Sequence, residues 1–276
     1  MHGSNADYLT LLEAIGIIGD LSDEQYETVT SLLDVKDFIN YLLVNFYGAN
    51  NDWDHHNWYA SQSPIDAKWR FHSWDAEKFI ERVFANKTGE ISVGAPTGIH
   101  KRLITHPEYA LAFADAVQEH FHHDGVFTPE ASRSIYESRA TEIENAIRME
   151  SARWGDNHID NGDQVRYTRQ HWLDVRNDLL ENYFPNRTRT VLRQFERKGW
   201  FVIDSAPTFH VADHSQHGGF VSSGSSIEIA VASGTVYFTT DGTDPREMGG
   251  GISDHAQQFE SPLEPDHPIE LTARAR

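Results

Sequence analysis

The stretch Asn50-Asn51-Asp52-Trp53-Asp54-His55-His56-Asn57, with Trp74-Asp75-Ala76-Glu77 downstream of it, decides how this sequence is read. Between the two parts lie aromatic-rich segments at 57–61 and 68–74, separated by a turn holding Pro64 and Asp66, which is a β-hairpin signal. Upstream, Asp34 reads as an N-cap. Val35, Phe38, Ile39, Leu42, Leu43 and Phe46 then recur at helical spacing up to Gly48, the expected helix end. Asp52 is thus delivered by the C-terminus of a buried helix. Asn57 opens the first strand and Asp75 follows the second. The ends of an antiparallel hairpin lie side by side, with opposed Cα atoms about 4.5–5.5 Å apart. An amide oxygen and a carboxylate therefore converge where a hard cation with oxygen ligands can sit, and Asp52 overlooks the same point.

This order is the layout of a protein-kinase catalytic loop, in which an Asp accepts a hydroxyl proton and an Asn and a second Asp hold metal. Phosphoryl transfer spreads negative charge over oxygens, so positioning and metal do most of the work. Asp-x-x-x-x-Asn alone is common by chance; helix, Asp loop, Asn, hairpin and Asp in sequence is far more specific. No His-Arg precedes Asp52 and no Phe-Gly follows Asp75, unlike typical protein kinases.

At Asn50-Asn51-Asp52-Trp53, Asn57-Trp58-Tyr59 and Phe71-His72-Ser73-Trp74-Asp75 the chain resembles the CotH kinase family, and 37–45 resembles the family's preceding helix. The resemblance spans roughly residues 5–200. It implies that Asp52 is the catalytic aspartate, that Asn57 and Asp75 hold Mg²⁺ or Mn²⁺, that ATP is the cofactor, and that protein Ser or Thr is the acceptor. Where the family often carries a second acidic residue, this chain has Glu77. The resemblance further implies a nucleotide-holding N-terminal lobe, whereas only about 33 residues precede the helix and none forms a Gly-rich phosphate loop. The lobe is therefore expected to lie outside this sequence, leaving the chain alone with weak or no transfer.

Outward from the hairpin, an apolar helix is expected over 9–18, an acidic stretch over 22–27, and a Gly-rich connector over 89–98. Helices are expected over 108–123, 130–154, 186–198 and near 168–182, with Pro107, Pro129 and Pro185 at their starts. The core faces read as Phe113, Val117 and Phe121 on the first and Ile135, Ile143 and Ile147 on the second. After Gly199 the chain turns Ser-, Gly- and Thr-rich, with strand patterns at 227–231, 235–239 and 269–273 and an Asp241-Gly242 hairpin signal. The expected fold class is α+β: a mostly helical C-lobe of an atypical protein-kinase-like fold with a catalytic β-hairpin over 1–204, then a small all-β sandwich over 205–276. Segment 236–246, with its Thr-x-Asp-Gly-x-Asp-Pro turn, resembles the fibronectin-III-like C-terminal module of chitobiases and β-hexosaminidases, with its closing strand beyond Arg276. That module accompanies secreted bacterial proteins, which implies an extracellular or cell-surface location and carbohydrate or surface contact.

Composition bounds the alternatives. The net charge of 23 − 42 = −19 disfavours nucleic acid and anionic membranes as partners. No apolar run spans a bilayer, and Met1-His2-Gly3-Ser4 lacks the features of a signal peptide. With no cysteine, thiolate chemistry is excluded. Zinc ligation by Asp52, Asp54, His55 and His56 is disfavoured on the view that adjacent imidazoles diverge in an extended loop. Glu119-His120-Phe121-His122-His123 lacks the helical zinc spacing and reads as a solvated helix end. A carbohydrate-active enzyme using Asp52, Glu77 or Glu150, and a non-catalytic surface protein, are the rival classes. Segment 150–156 resembles one in large environmental-bacterial members of the family and carries no assigned chemistry.

Overall fold

The computed structural model describes residues 5–16, 19–157, 159, 165–203, 206–222 and 224–276. Two compact units are present, Met1–Phe201 and Val202–Arg276. Ile18 and Asp204, the expected ends of the first helix and first domain, lie outside the described residues.

The first unit runs α1 (Ala6–Ile15), α2 (Asp23–Leu32), α3 (Val35–Gly48), the hairpin β1 (Trp58–Gln62) and β2 (Trp69–Ser73), α4 (Pro96–Leu103), α5 (Pro107–Phe121), α6 (Pro129–Ile143), α7 (Ala146–Trp154), α8 (Arg169–Asp178), a π-helical turn at Leu179–Tyr183, and α9 (Phe184–Lys198). Helix α3 is its centre. Asp34 accepts the Asp37 N–H as the N-cap, and Phe38, Ile39, Leu42, Leu43 and Phe46 are all buried. Full burial of each such side chain stabilises the fold by roughly 1.5–3 kcal/mol. Phe46 meets Phe195 of α9 edge-on, Phe195 meets Phe113 of α5, and Phe71 of β2 packs on Phe38. The hairpin pairs Trp58 with Ser73 and Gln62 with Trp69, so Asn57 sits beside the start of the segment that leaves β2.

Several expectations need correction. Helix α3 does not end on a glycine cap: Gly48 is its last residue, and Ala49 takes the left-handed position at φ 49°. Gly48 is small because the Phe79 ring lies where a Cβ would be, 2.0 Å away. The acidic stretch at 22–27 opens α2, with a Ser22–Gln25 capping box. The Gly-rich connector contains the start of α4, where a Cβ on Gly98 would meet the Ser92 carbonyl at 2.3 Å. The expected helix 130–154 is two helices. Ile135 and Ile143 face solvent, while Ser132 and Ala140 face inward. Tyr47 explains this choice: its hydroxyl donates to the Ser132 hydroxyl at 2.8 Å, so the bulk comes from α3 and α6 supplies small residues. Pro185 lies in a continuous helical run. The π-helical turn before it, closed by Phe184 N–H on Leu179, accommodates the residue that cannot donate.

The second unit holds β3 (Thr208–Val211), β4 (His214–Ser215), β5 (Ile227–Ala230), β6 (Val236–Thr239), β7 (Gln257–Gln258) and β8 (Thr272–Ala275) in two antiparallel sheets, ordered β4-β3-β5 and β7-β6-β8. Ile229, Val236 and Phe238 form its core, with Phe209, Phe259 and Leu263 against them. The last strand lies a few residues beyond the expected 269–273, and Asp241-Gly242 is not a two-residue hairpin. Asp241 instead accepts the Thr243 N–H at 3.1 Å, and the Gly242 N–H goes to Glu270 at 2.8 Å. That local side-chain turn replaces the tight β-turn.

Candidate active site

The loop after α3 hangs on a buried amide ladder. Asn45 is fully buried and donates to the Tyr41 carbonyl at 2.9 Å and to the Ser73 hydroxyl at 3.2 Å. Asn50, equally buried, donates to Asn45 Oδ1 at 3.1 Å, and its own Oδ1 accepts the Asp52 N–H at 3.3 Å. Trp53 drops into the core, donating its indole N–H to the Tyr41 hydroxyl at 2.6 Å and meeting Phe46 edge-on. Burial pushes the Tyr41 phenol up, against the opposing effect of Trp53, so it stays neutral. Buried polar groups matched in this way fix one conformation, because leaving any of them unpaired costs about 1–3 kcal/mol.

Asp54 points inward, away from the site. It is buried, its Oδ2 accepts the Thr97 N–H at 2.7 Å in the first turn of α4, and its carbonyl accepts from the Trp58 indole at 2.7 Å. A carboxylate at a helix N-terminus is favoured by the unpaired N–H groups there. Trp53 and Asp54 therefore nail the loop down on one side, and Asp52 remains at the surface with 32% of its side chain exposed.

Both Asp52 oxygens are engaged. Asn57 donates its amide to Oδ2 at 2.9 Å, and His56 Nε2 contacts Oδ1 at 2.8 Å. The same Asn57 amide donates to the Asp75 carbonyl at 3.3 Å, and the Asn57 carbonyl accepts the Trp74 N–H at 3.0 Å. Asn57 and Asp75 both take left-handed backbone conformations, φ 61° and 47°, of the kind that Asn and Asp tolerate best. With its NH₂ held by two acceptors, Asn57 keeps Oδ1 clear. Among the described residues neither that oxygen nor the Asp75 carboxylate has a hydrogen-bond partner. Asn57 Oδ1 and the Asp75 carboxylate are hard oxygen donors of the kind that Mg²⁺ and Mn²⁺ take. Asn57 thus touches the Asp52 carboxylate through its side chain and Asp75 through the Asp75 backbone carbonyl. Glu77 is exposed without a side-chain hydrogen bond among the described residues, and Glu150 lies on α7, lining a cleft with Trp154 and Trp172.

A family model described as CotH kinase protein matches residues 2–191, more than half of the 276-residue chain. The chain belongs to the CotH kinase family. Membership makes the first unit kinase-like, the class in which ATP, a divalent metal and a protein substrate are general. Comparison with curated proteins and with solved structures gave no match.

Three features of this CotH-family site escape sequence reading. His55 and His56 do not diverge: the chain bends at each of residues 54–57, and the two rings lie 4.0 Å apart, nearly perpendicular, with His55 Nε2 3.9 Å from Asp52 Oδ1. Glu119 to His123 is not a solvated end, since His120 is half-buried and bonds Asn40 Oδ1 at 2.9 Å. The third is Arg187. Fully buried on α9, it donates to the carbonyls of Phe46 and Tyr47 at the end of α3 and to those of Val83 and Ala85 beyond Asp75. One guanidinium thereby ties together the chain entering the site and the chain leaving it. Burial lowers its pKa, and no carboxylate pairs with it among the described residues. The one signal in the sequence is its spacing, seven residues after Leu180 and three after Phe184, which sets Arg187 on the same helix face as those two.

Proposed function

We propose that the chain is a metal-dependent phosphotransferase that moves the γ-phosphoryl group of ATP to a Ser or Thr hydroxyl of a protein. The observation that carries this reading is the Asn57 amide, which holds Asp52 on one side and the Asp75 backbone on the other. The hydroxyl oxygen forms a bond to the γ-phosphorus, the bond from that phosphorus to the β–γ bridging oxygen breaks, and ADP leaves with it. Asp52, oriented by Asn57 and His56, receives the hydroxyl proton; a carboxylate accepts at up to about four positions, so both hydrogen bonds leave room for it. Asn57 Oδ1 and the Asp75 carboxylate would hold Mg²⁺ or Mn²⁺. When bound, that ion neutralises charge on the phosphate oxygens. Among the described residues no helix is long and apolar enough to cross a membrane. The second unit is read as a chitobiase-type fibronectin-III-like module that makes surface or carbohydrate contacts outside the cell.

Nucleotide with Mg²⁺ is expected to raise the melting temperature of the wild-type chain and not of Asp75→Ala. Radiolabelled-ATP transfer is run on the chain and on an N-terminally extended form, which tests whether transfer needs a further nucleotide-holding segment. Asp52→Ala and Asp75→Ala should abolish incorporation. Full activity in Asp52→Ala removes that residue from the mechanism. A melting shift with chito-oligosaccharide in place of nucleotide would move the first unit to the carbohydrate-active class.

A further inference from the structure

We infer that Asp52, His55 and His56 form a binding site for a first-row transition-metal ion of the Zn²⁺ class, separate from the hard-cation position at Asn57 and Asp75. One ligand atom from each of the three residues lies within 4.8 Å of the other two. His56 Nε2 is 2.8 Å and His55 Nε2 3.9 Å from the same Asp52 oxygen. Around a tetrahedral zinc with bonds of about 2.0–2.1 Å, ligand atoms sit roughly 3.3 Å apart. The shorter contact need open, and the longer close, by only about half an ångström, within reach of imidazole rotation on side chains 50% and 62% exposed.

The loop is held in place for such a site without the metal. Trp53 and Asp54 are buried on one side of the pair, and the Trp58 indole closes onto the Asp54 carbonyl on the other. The two imidazoles have no hydrogen-bond partner other than Asp52 among the described residues, so metal binding breaks no further contact. Two imidazoles and one carboxylate suit zinc, copper, nickel or cobalt and are poor ligands for Mg²⁺, which prefers all-oxygen octahedra. Three protein ligands at the surface leave a fourth position to water.

One consequence rests on the phosphotransfer reading above. An ion on Asp52 Oδ1 draws charge from the carboxylate that would take the hydroxyl proton, so transition metal inhibits transfer where Mg²⁺ supports it. The site itself does not depend on that reading.

The test is a titration of the metal-free chain with Co²⁺, followed by its visible d–d absorption and reversed with Zn²⁺. One equivalent is expected to bind. The His55→Ala/His56→Ala double variant should lose at least about tenfold in affinity, since even outer-shell changes at metal sites cost that much. Asp52→Asn should weaken binding while melting as wild type does. Equal Co²⁺ affinity in wild type and double variant, with both folded by circular dichroism, overturns the site. If Co²⁺ binds as expected but Mg²⁺-dependent nucleotide binding and transfer are absent from every form, the phosphotransfer reading fails and the metal site stands. If transfer is present, Zn²⁺ should inhibit the wild type, and His55→Ala should shift the inhibitory concentration upward by about tenfold relative to its own uninhibited rate. Unchanged zinc sensitivity in that variant removes His55 from the site.

Discussion

Asn57 donates its side-chain amide to Asp52 Oδ2 across 2.9 Å, and the same NH₂ reaches the Asp75 carbonyl. Asn57 therefore orients the carboxylate, while its own Oδ1 has no hydrogen-bond partner among the described residues. An Asn57→Asp substitution keeps the shape, removes the donor and sets two carboxylates against each other. Such a pair cannot stay ionised at no cost, and Asp52 would turn away. The expected result is a fall in phosphate incorporation of about 10²-fold or more, the scale of an ångström-level misplacement. The partly exposed position predicts little change in melting temperature. Near-normal transfer by this variant would show that the 2.9 Å contact does not position Asp52.

Arg187 makes the strongest stability prediction. Its guanidinium, fully buried, satisfies the carbonyls of Phe46, Tyr47, Val83 and Ala85. Arg187→Met fills similar volume but strips the Val83 carbonyl of its donor and leaves those of Phe46, Tyr47 and Ala85 with only the Ala49 N–H, the Tyr183 hydroxyl and the Gln194 amide, at about 1–3 kcal/mol for a buried group left unpaired. A loss of roughly 3 kcal/mol or more in urea unfolding is expected. Arg187→Lys should recover little, because an ammonium cannot span four carbonyls with a planar fork. A change below about 1 kcal/mol in Arg187→Met would mean that water replaces the guanidinium.

How far the sequence reveals these features depends on the range of the interactions. Helix α3 and the hairpin are legible because Asp34, the apolar stripe from Val35 to Phe46, and the 57–61 and 68–74 segments each carry their own local signal. That Asn57 meets the Trp74–Asp75 backbone follows from hairpin geometry. Ile135 and Ile143 mislead because a helix with two candidate faces is decided by its neighbour, and Tyr47 claims the face with Ser132. Asp54 reads as part of a polar loop, yet it caps α4, 43 residues away. Arg187 likewise acts on residues 102 to 141 positions distant, which no local pattern records.

Gly48 is required by a neighbour rather than by its backbone. A Cβ there would lie 2.0 Å from two atoms of the Phe79 ring, and the adjacent Ile80 N–H is bonded to the Gly48 carbonyl at 2.8 Å. Gly48→Ala has to push the 79–80 segment off α3. Overpacking of this kind costs about 1–3 kcal/mol. Because that segment follows Asp75 by only a few residues, the displacement should also weaken the Mg²⁺-nucleotide melting shift. Combining Gly48→Ala with Phe79→Ala relieves the clash, and the double variant is expected to be more stable than the sum of the single changes. Strict additivity in that cycle would show that the ring is not what excludes a side chain.

His100 predicts the acid limit of the first unit. It is buried on α4 among Phe46, Phe113 and Trp200, with Nδ1 3.0 Å from the Tyr109 hydroxyl and Nε2 without a partner. Burial lowers its pKa from 6.5 to about 3. Between those values the unfolded chain binds the proton and the folded one does not, so stability falls as pH drops. The contribution is fully present above pH 6.5 and is lost progressively below it, the loss reaching about 2 kcal/mol at pH 5. His100→Gln keeps a polar partner for Tyr109 and cannot titrate. It should be less stable than wild type at pH 8, and the difference should shrink by about 2 kcal/mol at pH 5. Urea unfolding of both proteins at the two pH values measures this directly. Parallel stability–pH curves would show that His100 takes up its proton in the folded state.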